Sequence, residues 1–185
     1  MKNNAHRGET KTHRLKRFQE NSYVESIETL LNSIDNYFNN EIRLAADNRQ
    51  SSLLFMGIHA SALTIGEVFF NETSLMGYKH FLEQYVDGNE EDRKFSTIAE
   101  TIHDWRNVLA HQWIGSIGHQ VGYDYEMTNG WQKRDDVTFI NPLIYSEQYL
   151  SAFKAGGKIW NYQQMFMEEQ LNQIKARIID KYVKR

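Results

Sequence analysis

The run from Leu53 to Phe70 constrains this chain more than any other stretch. It is apolar on nearly every side of a helix, yet His59, Ser61, Thr64 and Glu67 interrupt it. A lipid-facing helix of that length would carry a heavy cost for its ionisable groups. In water, a helix apolar all round must be enclosed by other elements. The run therefore predicts the central helix of a soluble bundle, with no membrane association.

The rest of the chain reads as the enclosure. At 185 residues a single helical domain is expected, because separate cores arise only beyond roughly 250–300 residues. A first helix is predicted from near Lys11 to Arg43, with Val24, Ile27, Leu30, Leu31, Ile34, Tyr37, Phe38 and Ile42 at helical spacing. The polar stretch 47–52 breaks it and caps the central helix. A shorter helix carries Leu75, Tyr78, Phe81, Leu82 and Tyr85, and the charged turn 87–92 closes it.

Ser96 is the expected N-cap of the next helix, whose apolar stripe is Phe95, Ile98, Ile102, Trp105, Leu109 and Trp113. Gly115, Gly118 and Gly122 end it. The period then changes. Val121, Tyr123 and Tyr125 alternate, Asn129-Gly130 is a tight-turn signal, and Val137 to Ile140 is β-prone. Residues 119–140 are therefore expected to form a β-hairpin or irregular insertion. After Pro142, Ser146-Glu147 resembles a helix start, and Tyr149 to Val183 is helical, with Leu171, Ile174, Ile178 and Tyr182 as a seam that Gly156-Gly157 kinks or splits.

Composition removes several chemistries. The absence of cysteine excludes disulfides, thiolate metal sites and cysteine nucleophiles, and fits a reducing, cytoplasmic setting. The formal charge of −3 argues against a globally basic nucleic-acid binder. Residues 1–18 run the other way, with Lys2, Arg7, Lys11, Arg14, Lys16 and Arg17 against Glu9 alone. That segment is either an electrostatic arm for phosphate backbones or a frayed terminus followed by a solvated helix face. Residues 1–10 are expected to be a disordered tail without the apolar core of a signal peptide.

The chemistry-bearing pattern lies on the helix after Ser96. At about 100° per residue, Ile98, Ile102, Trp105 and Leu109 fall within about 60° of arc, while Glu100, His103, Asn107 and His111 lie opposite. Arg106 sits at the margin, about 140° around from His111. Such a polar face meets water, a ligand or a second subunit. Histidine suits proton transfer at neutral pH. A permanently charged guanidinium suits a phosphate whose charge grows during reaction. Cleaving RNA without a metal needs both functions, because the ribose 2′-hydroxyl must be activated.

The string Arg106-Asn107-x-x-x-His111 resembles the signature of HEPN domains, an arginine often followed by a polar residue and then a histidine after four to six positions. A second match, Arg7 to His13, lies in the basic tail, without the amphipathic helix or the adjacent asparagine. The resemblance implies a helical bundle of four to five helices that dimerises and brings two motifs into one cleft. Many such domains are metal-independent endoribonucleases acting as toxins or antiviral effectors, leaving 2′,3′-cyclic phosphate and 5′-hydroxyl ends. Others are non-catalytic modules that bind a nucleotide, RNA or a protein. It further implies Arg106, His111 and Asn107 as catalytic residues, Asn107 orienting His111 or the phosphate. His103, Glu100 and Asp104 would stand in supporting positions, with no cofactor and no metal. A homodimer, an RNA substrate and an antitoxin or other protein partner are the corresponding expectations. Some members carry a tyrosine two residues after the histidine, where a partner nucleotidyltransferase modifies them; here Trp113 occupies that place, so that control is not expected.

Three further readings bear on the site. Tyr123, Tyr125, Trp131, Lys133 and Arg134 have the composition of a stacking and gripping surface for single-stranded RNA, though cross-strand packing accounts for the aromatics equally. Arg106 and His111 also admit a purely structural account, as a core-lining stem paired with a carboxylate and a histidine at a helix C-terminus. Glu100-x-x-His103 is half of a di-iron bundle motif, but no second copy exists in the chain.

Overall fold

The computed structural model describes residues 10–112 and 121–184, with the side chains of Lys11, His111 and Gln112 excluded. Trp113, Gly115, Gly118, Arg7 and the tail 1–9 thus lie outside the described residues. Contacts divide the chain into two compact units, residues 1–33 with 163–185, and residues 34–162.

In the first unit, α1 (Lys11–Glu20), α2 (Tyr23–Ser33) and α9 (Glu168–Ile178), which continues as a π turn at Ile179–Val183, pack through Phe18, Ile27, Leu31, Leu171, Ile174, Ile178 and Val183. The long first helix read from the sequence is interrupted at Asn21-Ser22. There Ser22 and Glu25 form a reciprocal capping box. The Ser22 N–H donates to Glu25 Oε2 at 2.7 Å, and the Glu25 N–H to Ser22 Oγ at 3.2 Å. The Ser22 N–H and then the Ser22 hydroxyl, both donating to Glu25 Oε2, hold the Glu25 carboxyl below its usual range. Lys175 closes the other side of the break, donating to Gln19 O at 3.1 Å and to Asn21 O. The seam differs from expectation at its end, where Val183 is buried and Tyr182 is 40% exposed. The π turn explains this, since each of its bonds spans five residues, not four.

The second unit is built around the apolar run. It begins with a π turn at Ile34–Phe38 and α3 (Asn39–Asp47), followed by α4 (Ser51–Ile65), which a π turn at Gly66–Phe70 extends. α5 (Ser74–Phe81) likewise ends in a π turn, Leu82–Val86. Then come two 3-10 turns, Glu91–Arg93 and Phe95–Ile98, and α6 (Ala99–Gln112). α4 is central, touching α3, α5, α6 and α7 (Pro142–Phe153). By length and composition Ser51–Phe70 would suffice to cross a membrane. Here it lies among helices, with Ser51, His59 and Ser61 buried. The first π turn explains why Tyr37, expected on the seam, is 69% exposed, while Asn39 and Ile42 are buried.

α4 and α5 meet where both lack a side chain. A Cβ at Gly66 would fall 2.5 Å from the Gly77 carbonyl oxygen, and one at Gly77 would fall 2.4 Å from that of Glu72. This approach seats Tyr78, the next residue, against the middle of α4. Full burial of Phe55, Phe81, Tyr145 and Phe153 completes the core, each worth about 1.5–3 kcal/mol by area.

The insertion is a three-stranded sheet of order β1-β3-β2, with β1 (Val121–Tyr123), β2 (Trp131–Arg134) and β3 (Val137–Ile140). β2 and β3 form the expected hairpin, but its turn is Asp135-Asp136, with Asp135 at φ 53°. Asn129-Gly130 instead ends the connection from β1, which pairs parallel with β3. Asn141 joins the sheet to α7. Its Oδ1 accepts from the Leu143 and Ile144 N–H groups at 2.9 and 3.3 Å, and its Nδ2 donates to Met127 O at 2.7 Å. The helix starts at Pro142 under this cap, earlier than Ser146. Gly156-Gly157 do split the helical stretch read from Tyr149 onward, and the chain resumes as a 3-10 turn, Lys158–Asn161, and the short α8 (Tyr162–Met165).

Candidate functional site

α6 carries the motif, and its buried edge is the one expected: Ile98, Ile102 and Leu109 are buried, with Trp105 half-buried beside them. Its start differs. Ser96 lies in the preceding 3-10 turn, where its N–H donates to Asp87 Oδ1 at 3.1 Å and its hydroxyl to Asp87 Oδ2. Ser96 is therefore no N-cap, and the α-helix proper begins at Ala99. Burial raises the Asp87 carboxyl above its usual range, against these hydrogen bonds.

The polar face is not uniformly open. Glu100 and Asp104 are exposed, and Asn107 is half-buried. His103, expected opposite the apolar stripe, turns toward α4. Its Nδ1 lies 2.9 Å from Nε2 of His59, a residue with no exposed surface. His103 is about 100° from Ile102 on the helix. The contact face widens to reach it because α4 presents an imidazole there.

His59 rests on the Tyr78 ring, centroids 4.4 Å apart, and the Tyr78 hydroxyl is bonded to that of Tyr145 at 2.8 Å. The second ring nitrogen of His59, Nδ1, is buried and finds no partner among the described residues. Burial, then the Arg106 guanidinium and then His103, push His59 down to about 3. His103 is lowered chiefly by burial; Asp104 opposes the shift and Arg106 adds to it. Both imidazoles are thus neutral at neutral pH.

Arg106 lies half-buried between this pair and the apolar edge. Its Nη1 donates to Asn107 Oδ1 at 2.9 Å, and its buried Nε meets no acceptor among the described residues. Asn107 therefore faces the guanidinium with its carbonyl. His111 is on α6 one turn beyond Asn107, its side chain outside the described residues. The structure thus brings together His59, His103, Arg106 and Asn107. His59 is the member that sequence reasoning missed, having served only as an argument against a membrane span. Its signal was available, because an ionisable group inside an all-round apolar helix needs a buried partner.

The sheet residues stand apart from this group. Tyr123 packs on Phe55 at 5.2 Å and accepts from Trp105 Nε1 at 2.7 Å. Tyr125 is bonded to Ser51 and lies under the Arg49 guanidinium at 5.0 Å. Trp131 is half-buried. Lys133 is exposed, while Arg134 pairs with Asp124 at 2.7 Å and covers Phe139 at 4.6 Å. Among the described residues, no cluster of three or more His, Asp or Glu side chains is placed to hold a metal ion. The chain matches no protein-family model, no curated protein and no solved structure.

Proposed function

We propose that α6 bears the site of a metal-independent endoribonuclease of the HEPN kind, acting as a homodimer. The observation that carries this reading is the Arg106 guanidinium bonded to Asn107, one turn before His111 on the same helix. Arg106 binds the phosphodiester and stabilises the charge that grows on its oxygens. An imidazole base, His111, takes the 2′-hydroxyl proton as that oxygen attacks phosphorus. The P–O5′ bond breaks, His111 gives the proton it took to the leaving oxygen, and a 2′,3′-cyclic phosphate and a 5′-hydroxyl remain. Pairing two copies of α6 about a two-fold axis supplies complementary groups across the wide angle between Arg106 and His111.

The test is an RNA cleavage assay in excess chelator with the product ends mapped, comparing wild type with Arg106→Ala and His111→Ala. Loss in both variants, with cyclic phosphate ends in wild type, is the expected result. Cleavage that survives both substitutions assigns the activity to other residues. A folded dimer inert toward a broad RNA panel favours the non-catalytic module, in which Arg106 and Asn107 only bind.

A further inference from the structure

We propose that His59 locks His103 as its Nε2–H tautomer, so that His103 offers a phosphate oxygen a neutral N–H beside Arg106 and transfers no proton. That the ligand is a phosphate rests on the ribonuclease reading; the tautomer does not.

The argument starts from the sealed ring. A neutral imidazole has one N–H and one bare nitrogen. The His59 Nδ1 is buried and meets no partner among the described residues, and the hydroxyl of the neighbouring Tyr78 is committed to Tyr145. Orphaned buried N–H donors are rarer in folded proteins than under-satisfied acceptors. The His59 proton therefore sits on Nε2 and is donated across 2.9 Å to His103 Nδ1. Since Nδ1 of His103 accepts, its own proton is on Nε2, the nitrogen directed away from His59.

The same bond resists an imidazolium. Protonating His103 would set an N–H on its Nδ1 against the N–H of His59, unless His59 moved its proton to the orphaned Nδ1. Among the described residues, the charged and titratable groups around the pair are Arg106 and Asp104 on α6 and Tyr78 on α5. Arg106 opposes a second cation, Tyr78 stays protonated, and of these groups the exposed Asp104 alone favours one. A neutral imidazole with hydrogen on Nε2 has no lone pair there to take a proton. Giving that proton up would leave an imidazolate. The remaining role is that of a hydrogen-bond donor fixed before substrate arrives, which needs no reorganisation as charge builds on phosphate. Proton transfer is left to His111.

The experiment uses the full chain with 15N-labelled histidine and long-range 1H–15N correlation from pH 5 to 8. His59 and His103 should both remain neutral, each with hydrogen on Nε2. Adding inorganic phosphate should shift the His103 Nε2–H resonance in wild type and not in Arg106→Ala. His103 found with hydrogen on Nδ1, or titrating as an imidazolium in this range, overturns the proposal, as does a resonance that ignores phosphate. His59→Gln keeps an N–H donor toward His103 and should preserve its tautomer, whereas His59→Leu should release it. Should His59→Leu not fold, the wild-type spectra decide alone. The expected spectra from a protein inert toward RNA would overturn the ribonuclease reading and leave the neutral donor standing.

Discussion

Two buried polar clusters flank α4, two residues and about 200° apart on its surface, and they are built to different rules. On one side the Tyr149 hydroxyl lies 2.9 Å from Asn39 Oδ1 and 2.7 Å from Ser61 Oγ, and Asn39 Nδ2 donates to Asp35 at 3.0 Å. That cluster ties α3, α4 and α7 together through hydroxyl and amide groups, and Asp35, paired with Arg43, is its outer acceptor. On the other side His59 has an unpartnered nitrogen, and a fixed cation stands close enough to disfavour its protonation. A satisfied buried network serves packing, whereas an unsatisfied one carries a standing cost that function can account for. The comparison separates the part of α4 that ties neighbouring helices together from the part that faces the proposed site.

The sharpest way to break that contrast is Arg106→Ala. It should lower RNA cleavage by about 10²–10³ in kcat while the urea midpoint barely moves; equal losses of stability and activity would make Arg106 a structural residue. Tyr149→Phe should do the reverse. Leaving Asn39 and Ser61 short of a partner costs about 1–3 kcal/mol, read as a lower urea midpoint, with kcat/KM unchanged.

A pH series sharpens the difference further. His59 is held at about 3 in the folded chain, against about 6.5 when unfolded. The unfolded chain therefore binds the extra proton first. The stability contributed by neutral His59 is present above pH 6.5 and is lost as pH falls toward 3, at up to about 1.4 kcal/mol per pH unit. Urea midpoints of wild type and His59→Gln should diverge in slope between pH 7 and 5, wild type falling faster; parallel slopes would place His59 in contact with water. The smallest effect is expected for Ser61→Ala. Tyr149 keeps Asn39, so the loss should be about 0.5–1.5 kcal/mol in denaturant unfolding, and cleavage should not change.

The sequence made the apolar packing far more legible than either of these clusters. Apolar spacing located the seam residues Ile27, Leu31, Ile34 and Ile42 and the stripe on α6, because burial imposes a period that composition records. It misplaced Tyr37 and Tyr182, since each π turn adds a residue without a compositional mark. The His59–His103 bond joins residues 44 positions apart, and spacing along one helix carries no information about a partner on another. The parallel pairing of β1 with β3 was hidden for the same reason, while the glycine turn signal at 129–130 drew attention from the aspartates that make the turn. Arg106 and Asn107 were legible as a pair of types; that the amide faces the guanidinium was not.

The wide turn after Ile178 has a consequence for how this chain tolerates change. Its Ile179–Val183 segment, closed by Lys184 N–H on Ile179 O at 3.0 Å, holds one residue more than a regular turn of the same reach. Removing the exposed Asp180 would leave Val183 four places after Ile178 and return it to the buried edge of an ordinary α-helix. The terminal helix thus stores a spare position, where a one-residue deletion shortens the backbone without changing which side chains meet the core.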